Sequence, residues 1–265
     1  VTVTDALGAS VLTSGAAAIG TDGTCTRSLP AASNTQLAYL TAVWVDAATG
    51  EQRTTHVEVV GGFYFTVAQA RASDPTLGDA GKYSDADVIA ARRQVEEEFE
   101  TITRVGWVPR YRRDLVTLTP AGVLFKTPQV RTIRSMRSYG FDGVNYTDLT
   151  ATQLGTLNQS LEPYGFAPYV GYGQLGYGML GYGLAVYSEY EHGFDRPPAD
   201  LRQAALTRLR HRLNYNRSAV PDRATTFAIA DAGTYSLATG SVSHTGIDEI
   251  DQVLDRYTYR FASAG

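Results

Sequence analysis

Apolar and polar residues alternate in short runs over the first quarter of the chain. Val1-Thr2-Val3-Thr4, Thr24-Cys25-Thr26-Arg27-Ser28-Leu29, Leu40-Thr41-Ala42-Val43-Trp44-Val45 and Thr55-His56-Val57-Glu58-Val59-Val60 read as half-buried strands. Thr21-Asp22-Gly23, Ala48-Thr49-Gly50 and Gly61-Gly62 punctuate them as turns. This pattern predicts an immunoglobulin-like β-sandwich over residues 1–72. It would lack the usual inter-sheet disulfide, because Cys25 is the only cysteine. The polar stretch at 73–82 is the expected linker.

The period then becomes helical. Ser84 and Asp87 have capping-box spacing, and Val88, Ala91, Val95, Phe99 and Ile102 fall on one face before Gly106 and Pro109 stop the run. Glu96, Glu97, Glu98 and Glu100 lie largely off that face, so a solvated surface is expected there, not a pair of catalytic carboxylates. A second helix begins near Pro197-Pro198, with Leu201, Ala205 and Leu209 at four-residue intervals. A third is expected to start at Thr245 with Asp248 three residues on, its apolar face formed by Ile247, Ile250, Leu254 and Tyr257. Residues 83–265 are therefore read as a small three-helix domain with a β-rich insertion at about 111–192. The fold class is α+β.

Within that insertion, Val116, Leu118, Val123, Phe125, Val130 and Ile133 are the expected strand interiors. Arg131, Arg134 and Arg137 recur every three residues, but Pro128 and the β-branched neighbours weaken a helix reading there. Charge draws attention to the same place. The formal net charge is −4, yet the span from Arg104 to Arg137 holds eight cations and one anion, Asp114. Such a segment is a candidate contact for phosphate or for an acidic partner surface, against the plainer reading of a solvated face. Arg131, Arg134 and Arg137 are its regularly spaced members, and they become candidate DNA contacts only through the resemblance given below.

A glycine-tyrosine tract follows: Gly171-Tyr172-Gly173, Gly176-Tyr177-Gly178 and Gly181-Tyr182-Gly183, with Leu175 and Leu180 closing the spacers. Its period is five. Gly171-x-Gly173-x-x-Gly176 matches a dinucleotide fingerprint as a string, but that motif needs a strand before it and a helix after it, and no helix pattern follows. Ordering each residue costs about 1–2 kcal/mol of backbone entropy, which such a tract cannot offset with a core of its own. The tract is therefore expected either to order against neighbouring chains, the favoured reading, with Tyr172, Tyr177, Leu180 and Tyr182 as inter-subunit or lumen-facing residues, or to remain a flexible loop tip.

Catalytic signatures are missing from the sequence. His56, His192, His211 and His244 show no metal-ligand spacing, and there is no phosphate-loop lysine motif or nucleophile elbow. Asn145, Asn158 and Asn216 match the glycosylation pattern, but no basic-then-apolar leader is read at the N-terminus. No apolar run approaches the ~20 residues of a membrane span. No cofactor and no membrane partner are expected, and the chain is read as a non-enzyme.

Three segments resemble head-to-tail adaptor (connector) proteins of long-tailed bacteriophages, of the actinobacteriophage type. The first runs from Tyr83-Ser84 through Ala90-Ala91-Arg92-Arg93-Gln94-Val95-Glu96 to Val108-Pro109-Arg110. The second is Gly193-Phe194-Asp195-Arg196-Pro197-Pro198-Ala199-Asp200-Leu201-Arg202-Gln203-Ala204-Ala205. The third is Thr245-Gly246-Ile247-Asp248-Glu249-Ile250-Asp251-Gln252-Val253-Leu254-Asp255-Arg256-Tyr257. Residues 57–62 resemble the β-domain that some members carry.

The resemblance implies a structural virion protein in the neck, assembled in the host cytoplasm. Its copies would form a ring, typically of twelve, beneath the portal protein, leaving a channel through which DNA passes without sequence-specific contact. Further implied partners are a downstream connector, stopper or tail protein, and the capsid through the β-domain. A C-terminal arm would dock on the portal, which marks Ile250, Leu254, Tyr257, Tyr259, Arg260 and Phe261 as portal or ring-interface residues. The glycine-tyrosine tract departs from the family pattern. The alternatives are a tail or surface adhesin with a glycan-binding β-domain and a β-sandwich cell-wall hydrolase.

Overall fold

The computed structural model describes residues 1–21, 23–119, 122–125, 127–139, 146–161, 169–170, 185–215, 226–229, 233–236 and 244–258. In chain order, β1 (Thr2–Thr4), β2 (Ser10–Leu12), β3 (Ala18–Ile19), β4 (Cys25–Thr26), β5 (Ala38–Val45) and β6 (Gln52–Val59) come first. Helices α1 (Val67–Ser73) and α2 (Asp85–Thr103) follow, separated by a 3-10 turn at Pro75–Gly78. Next come β7 (Arg110–Thr119), β8 (Gly122–Leu124), β9 (Val130–Tyr139), β10 (Tyr146–Asp148), α3 (Ala151–Ser160), β11 (Tyr169–Val170) and β12 (Ala185–His192). The described elements end with α4 (Ala199–Tyr215), β13 (Thr226–Ile229), β14 (Gly233–Ser236) and α5 (Asp248–Tyr257). The chain is thus mixed α and β, with several antiparallel sheets and five α-helices among the described residues.

Two units emerge, each built from two stretches of chain: Val1–Gly62 with Val108–Asp195, and Phe63–Trp107 with Arg196–Gly265. The stretch expected as an insertion, 111–192, therefore shares a unit with the N-terminal strands. The stretch expected as a linker, 73–82, is packed structure in the other unit, where Leu77 is fully buried. Residues 63–72 also lie in that helical unit and do not continue a β-domain. Thr66 and Gln69 close a capping box there: Gln69 N donates to Thr66 Oγ1 and Thr66 N to Gln69 Oε1, at 3.1 and 2.9 Å.

In the β unit, the N-terminal strands form one four-stranded antiparallel sheet, ordered β2-β1-β5-β6, and a separate β3-β4 ladder. Val3, Leu40 and Ala42 centre its small core, with Trp44 and Val59 packed against them. The immunoglobulin-like expectation gives way to this simpler arrangement of one sheet and one ladder. The second sheet has six strands, ordered β10-β9-β12-β7-β8-β11. Val116, Phe125, Val130, Ile133, Met136, Leu157, Val186 and Tyr190 form its core. Helix α3 supplies Leu157 and starts at a Thr150–Gln153 capping box. Its Asn158 amide pairs with the β9 backbone, accepting from Ile133 N at 2.6 Å and donating to Ile133 O at 2.9 Å.

In the helical unit, α2 begins as its sequence predicts: Asp87 N donates to Ser84 Oγ at 3.2 Å and Ser84 N to Asp87 Oδ2 at 3.3 Å. Val88, Val95 and Phe99 have no measurable exposure, and Leu201, Ala205, Leu209 and Leu254 on α4 and α5 are buried as fully. Arg104 caps α2 in the left-handed region (φ 59°), with its N–H donating to Glu100 O. A cation there sits favourably at the negative end of the helix dipole. Helix α5 differs from its expected start: Thr245 bonds not to Asp248 but to Asp251, whose carboxylate accepts from Thr245 N and Oγ1 at 2.9 and 2.8 Å.

Candidate assembly surfaces

The threefold recurrence of arginine in β9 has a backbone cause. Against β12, Ser135 opposes Glu189 but Ile133 opposes Tyr190, so Arg134 is an extra residue; Thr132 opposes Glu191 but Val130 opposes His192, so Arg131 is another. Each is a β-bulge, two residues facing one. The bulges convert a spacing of three (Val130, Ile133, Met136, all buried) into the spacing of two used by Val186, Ser188, Tyr190 and His192 on β12.

All three arginines have carboxylate partners within the β unit. Arg131 lies 2.7 Å from Asp195 and donates to Gly193 O. Arg134 pairs with Glu191 and donates to Leu37 O at 2.7 Å. Arg137 holds Asp148 at 2.7 and 3.0 Å. The basic segment is therefore largely neutralised where it folds. Arg113 also donates to Ala6 O, so with Arg134 it ties the six-stranded sheet to loops of the N-terminal strands. Beside it, burial and the Glu189 carboxylate push the Tyr111 phenol up to about 12.

The opposite face of that sheet has a polar end. Tyr190 donates to Asp114 Oδ2 at 2.8 Å and accepts from Thr127 Oγ1 at 3.2 Å. Burial first, and then the Arg112 and Arg110 charges, lower the His192 pKa to about 4, so the ring is neutral at physiological pH.

In the helical unit, carboxylates expected on a solvated face are internal connectors. Glu96 is 4% exposed and accepts from Tyr64 N at 2.8 Å. Arg92 lies beside it, donating to Phe65 O and stacking 3.7 Å from the Phe63 ring centroid. Glu98 takes a two-pronged contact from Arg208 at 2.8 and 2.9 Å and a third from Arg212 at 3.0 Å. Burial raises its carboxyl pKa, but these arginines outweigh burial and hold it below the usual range.

The expected docking residues divide. Ile250 and Leu254 are 1% and 0% exposed, so their side chains anchor α5 in its own core and are not offered to a partner. Tyr257 is half-buried: its hydroxyl donates to Asp200 and its ring meets Trp107 edge-on at 5.3 Å. Tyr259, Arg260 and Phe261, and all of Tyr172, Tyr177, Leu180 and Tyr182, lie outside the described residues. Cys25 is exposed. Among the described residues, no cluster of three or more His, Cys, Asp or Glu is placed to hold a metal, and no helix is long and apolar enough to cross a membrane.

Helix α3 and strand β12 lie outside the elements expected from sequence, although each carries a local signal. Thr150-x-x-Gln153 has capping-box spacing, and Val186-Tyr187-Ser188-Glu189-Tyr190-Glu191 shows the period of two, partly hidden by small and polar buried residues.

No family model matches the chain, and no curated protein matches it. Among solved structures, a similar chain occurs in the neck of an empty GTA particle computed with C6 symmetry. It is 19% identical, with a TM-score of 0.46, over 76% of this chain and 93% of that one. Identity that low leaves residue roles to be argued from this chain's own geometry.

Proposed function

We propose that the protein is a structural, ring-forming adaptor of a tailed-phage neck, placed between the portal and the next connector or tail ring, with a DNA channel on the ring axis. One observation carries the reading. The three segments that resemble adaptor proteins are far apart in sequence, yet they supply helices α2, α4 and α5 of a single unit. Glu98 of α2 is held by Arg208 and Arg212 of α4, and Asp200 of α4 is held by Arg256 and Tyr257 of α5. A small helical core assembled from these segments in this order is what the resemblance implies.

In this reading, Ile250, Leu254 and Tyr257 fix α5 while the residues after Thr258 make the portal contact. Arg134 serves chiefly to hold the β unit together, while Arg131 and Arg137, in exposed ion pairs, are the arginines left to meet DNA. Native mass spectrometry of the chain, alone and with portal, is the test. A particle of fixed copy number that binds portal is expected, and truncation after Thr258, which keeps the Tyr257 contacts, should weaken that binding at least tenfold. A chain that stays monomeric and never binds portal would overturn the proposal.

A further inference from the structure

Sheet edges in this protein are unequal. On the four-stranded sheet, the β2 edge is three residues long and its ladder to β1 breaks register between Val3 and Thr4. On the six-stranded sheet, the edges are β10 and β11, of three and two residues. Strand β6 has eight residues and pairs with β5 without a break, from Gln52 opposite Val45 to Val59 opposite Ala38. Among the described residues, no strand pairs with its other side.

Every second residue of an edge strand directs its N–H and C=O away from the sheet, and folded proteins blunt such edges with bulges, proline, charge or brevity. Strand β6 contains no proline and no bulge. Of its two charged residues, Glu58 is tied to Arg110 at 2.8 Å, which leaves Arg53 near one end. Val57 on β6 is 43% exposed, apolar surface that a further strand would help cover.

The chain also carries a second open piece of sheet. Strands β13 and β14 pair with each other in full register, Thr226 opposite Ser236 through Ile229 opposite Gly233, and join no larger sheet among the described residues. A two-stranded hairpin alone is marginal in water. Its sequence, Thr226-Phe227-Ala228-Ile229 and Gly233-Thr234-Tyr235-Ser236, is uncharged and rich in β-branched and aromatic residues, suited to joining a sheet. Four residues span about 13 Å and eight about 26 Å, so either strand fits within the β6 edge.

We propose that these are the two halves of one contact between copies: the β13–β14 hairpin of one subunit adds to the β6 edge of the next, extending the sheet from four strands to six. The inference rests on the ring reading above and specifies its interface. Donor and acceptor are different surfaces, so the contact is head-to-tail, the kind from which a ring is built when the rotation between copies closes. Pairing of β6 with β6 would instead satisfy both edges in a two-fold dimer and stop there.

The test uses the full chain with Cys25→Ser, carrying Thr54→Cys on β6 together with either Ala228→Cys on β13 or Thr234→Cys on β14. A short bismaleimide is added to the assembled protein. One of the two pairs should give a ladder of covalent oligomers up to the full ring, while each single-cysteine control stops at dimers. Intact rings by native mass spectrometry with no ladder from either pair would overturn this contact and leave the ring reading standing. A monomeric mass would overturn both. Replacing residues 226–236 with a Gly-Ser linker should lower the ring fraction at least tenfold while the helical circular dichroism is kept. Undiminished rings from that variant would also defeat the proposal.

Discussion

Strands β9 and β12 are neighbours that bury residues in the same core by different sequence rules. Strand β12 turns inward every second residue, at Val186, Ser188, Tyr190 and His192; β9 does so every third, at Val130, Ile133 and Met136. Two bulges absorb the difference, and both extra residues are arginines that reach back to carboxylates in their own unit. Period in a sequence thus reports backbone geometry and partner count together. A strand with slack can carry charges that a strand without slack would have to place on one face or the other.

The largest effect should come from removing one residue from each strand. Deleting Glu189 from β12 shifts all that follows by one, driving Tyr190 and His192 out of the core or Val186 and Ser188 with them, since a one-residue slip exchanges the faces of a strand. Deleting Arg134 from β9 leaves every observed pair possible, Ser135 with Glu189 and Ile133 with Tyr190, because the deleted residue has no opposite number. Chemical denaturation should show the β12 deletion without a cooperative β-sheet transition and the β9 deletion still folding cooperatively, weakened by the loss of the Glu191 and Leu37 contacts. Equal damage from the two deletions would mean that the bulge is not slack.

Legibility in the sequence follows the same logic. Helix α2 was readable from its capping box and apolar face, and α4 from its prolines and four-residue spacing, because these signals are local. Strands β5 and β6 announced themselves by alternation. Unit boundaries were not readable: Phe63–Trp107 and Arg196–Gly265 share a core only through contacts between distant segments such as Glu98 with Arg208. The same distance concealed the role of Glu96, which looks like one of a row of surface glutamates until Tyr64 N is placed against it. The arginine period was visible in β9 but had no interpretation without the β12 register. Ile250 and Leu254 show the reverse case: their helical spacing correctly marked an apolar face, but not whether that face meets its own chain or another.

The next effect is set by pH. His192 ends β12 opposite Val130, just past the second bulge, and its pKa of about 4 lies below the ordinary 6.5, chiefly because it is buried and then because Arg112 and Arg110 repel its charged form. The unfolded chain therefore binds more protons between those two values. The stabilising contribution is complete above pH 6.5 and is lost as pH falls towards 4, up to about 3 kcal/mol. Urea unfolding at pH 7 and pH 4.5 should show a smaller loss for His192→Gln than for the native chain. An identical loss would show that the bulge admits water to the ring and that β12 is not sealed at this end.

The smallest effects should be graded along the three β9 arginines, and the grading is what distinguishes a bulge that holds the fold from one that merely decorates it. Asp195 and Asp148 have side chains 81% and 53% exposed, so the pairs of Arg131 and Arg137 are surface ion pairs, of a kind that contributes about 0.2–1 kcal/mol and weakens with salt. Arg134 and Glu191 are 22% and 24% exposed, and Arg134 also satisfies Leu37 O, so its loss leaves a half-buried carboxylate and a carbonyl unmatched. Arg134→Ala should cost about 1–3 kcal/mol, against less than about 1 kcal/mol for Arg131→Ala or Arg137→Ala, measured by urea denaturation in low salt. Because the two outer substitutions barely perturb stability, they also separate structure from function. If this face lines a DNA channel, Arg131 and Arg137 are the groups whose exposed carboxylates a phosphate can replace, and the double alanine variant should retain packaged DNA less well in assembled particles while melting like the native chain. Equal stability losses at all three positions would erase the distinction between the inner and outer arginines, and with it the reason for assigning only the outer pair to DNA.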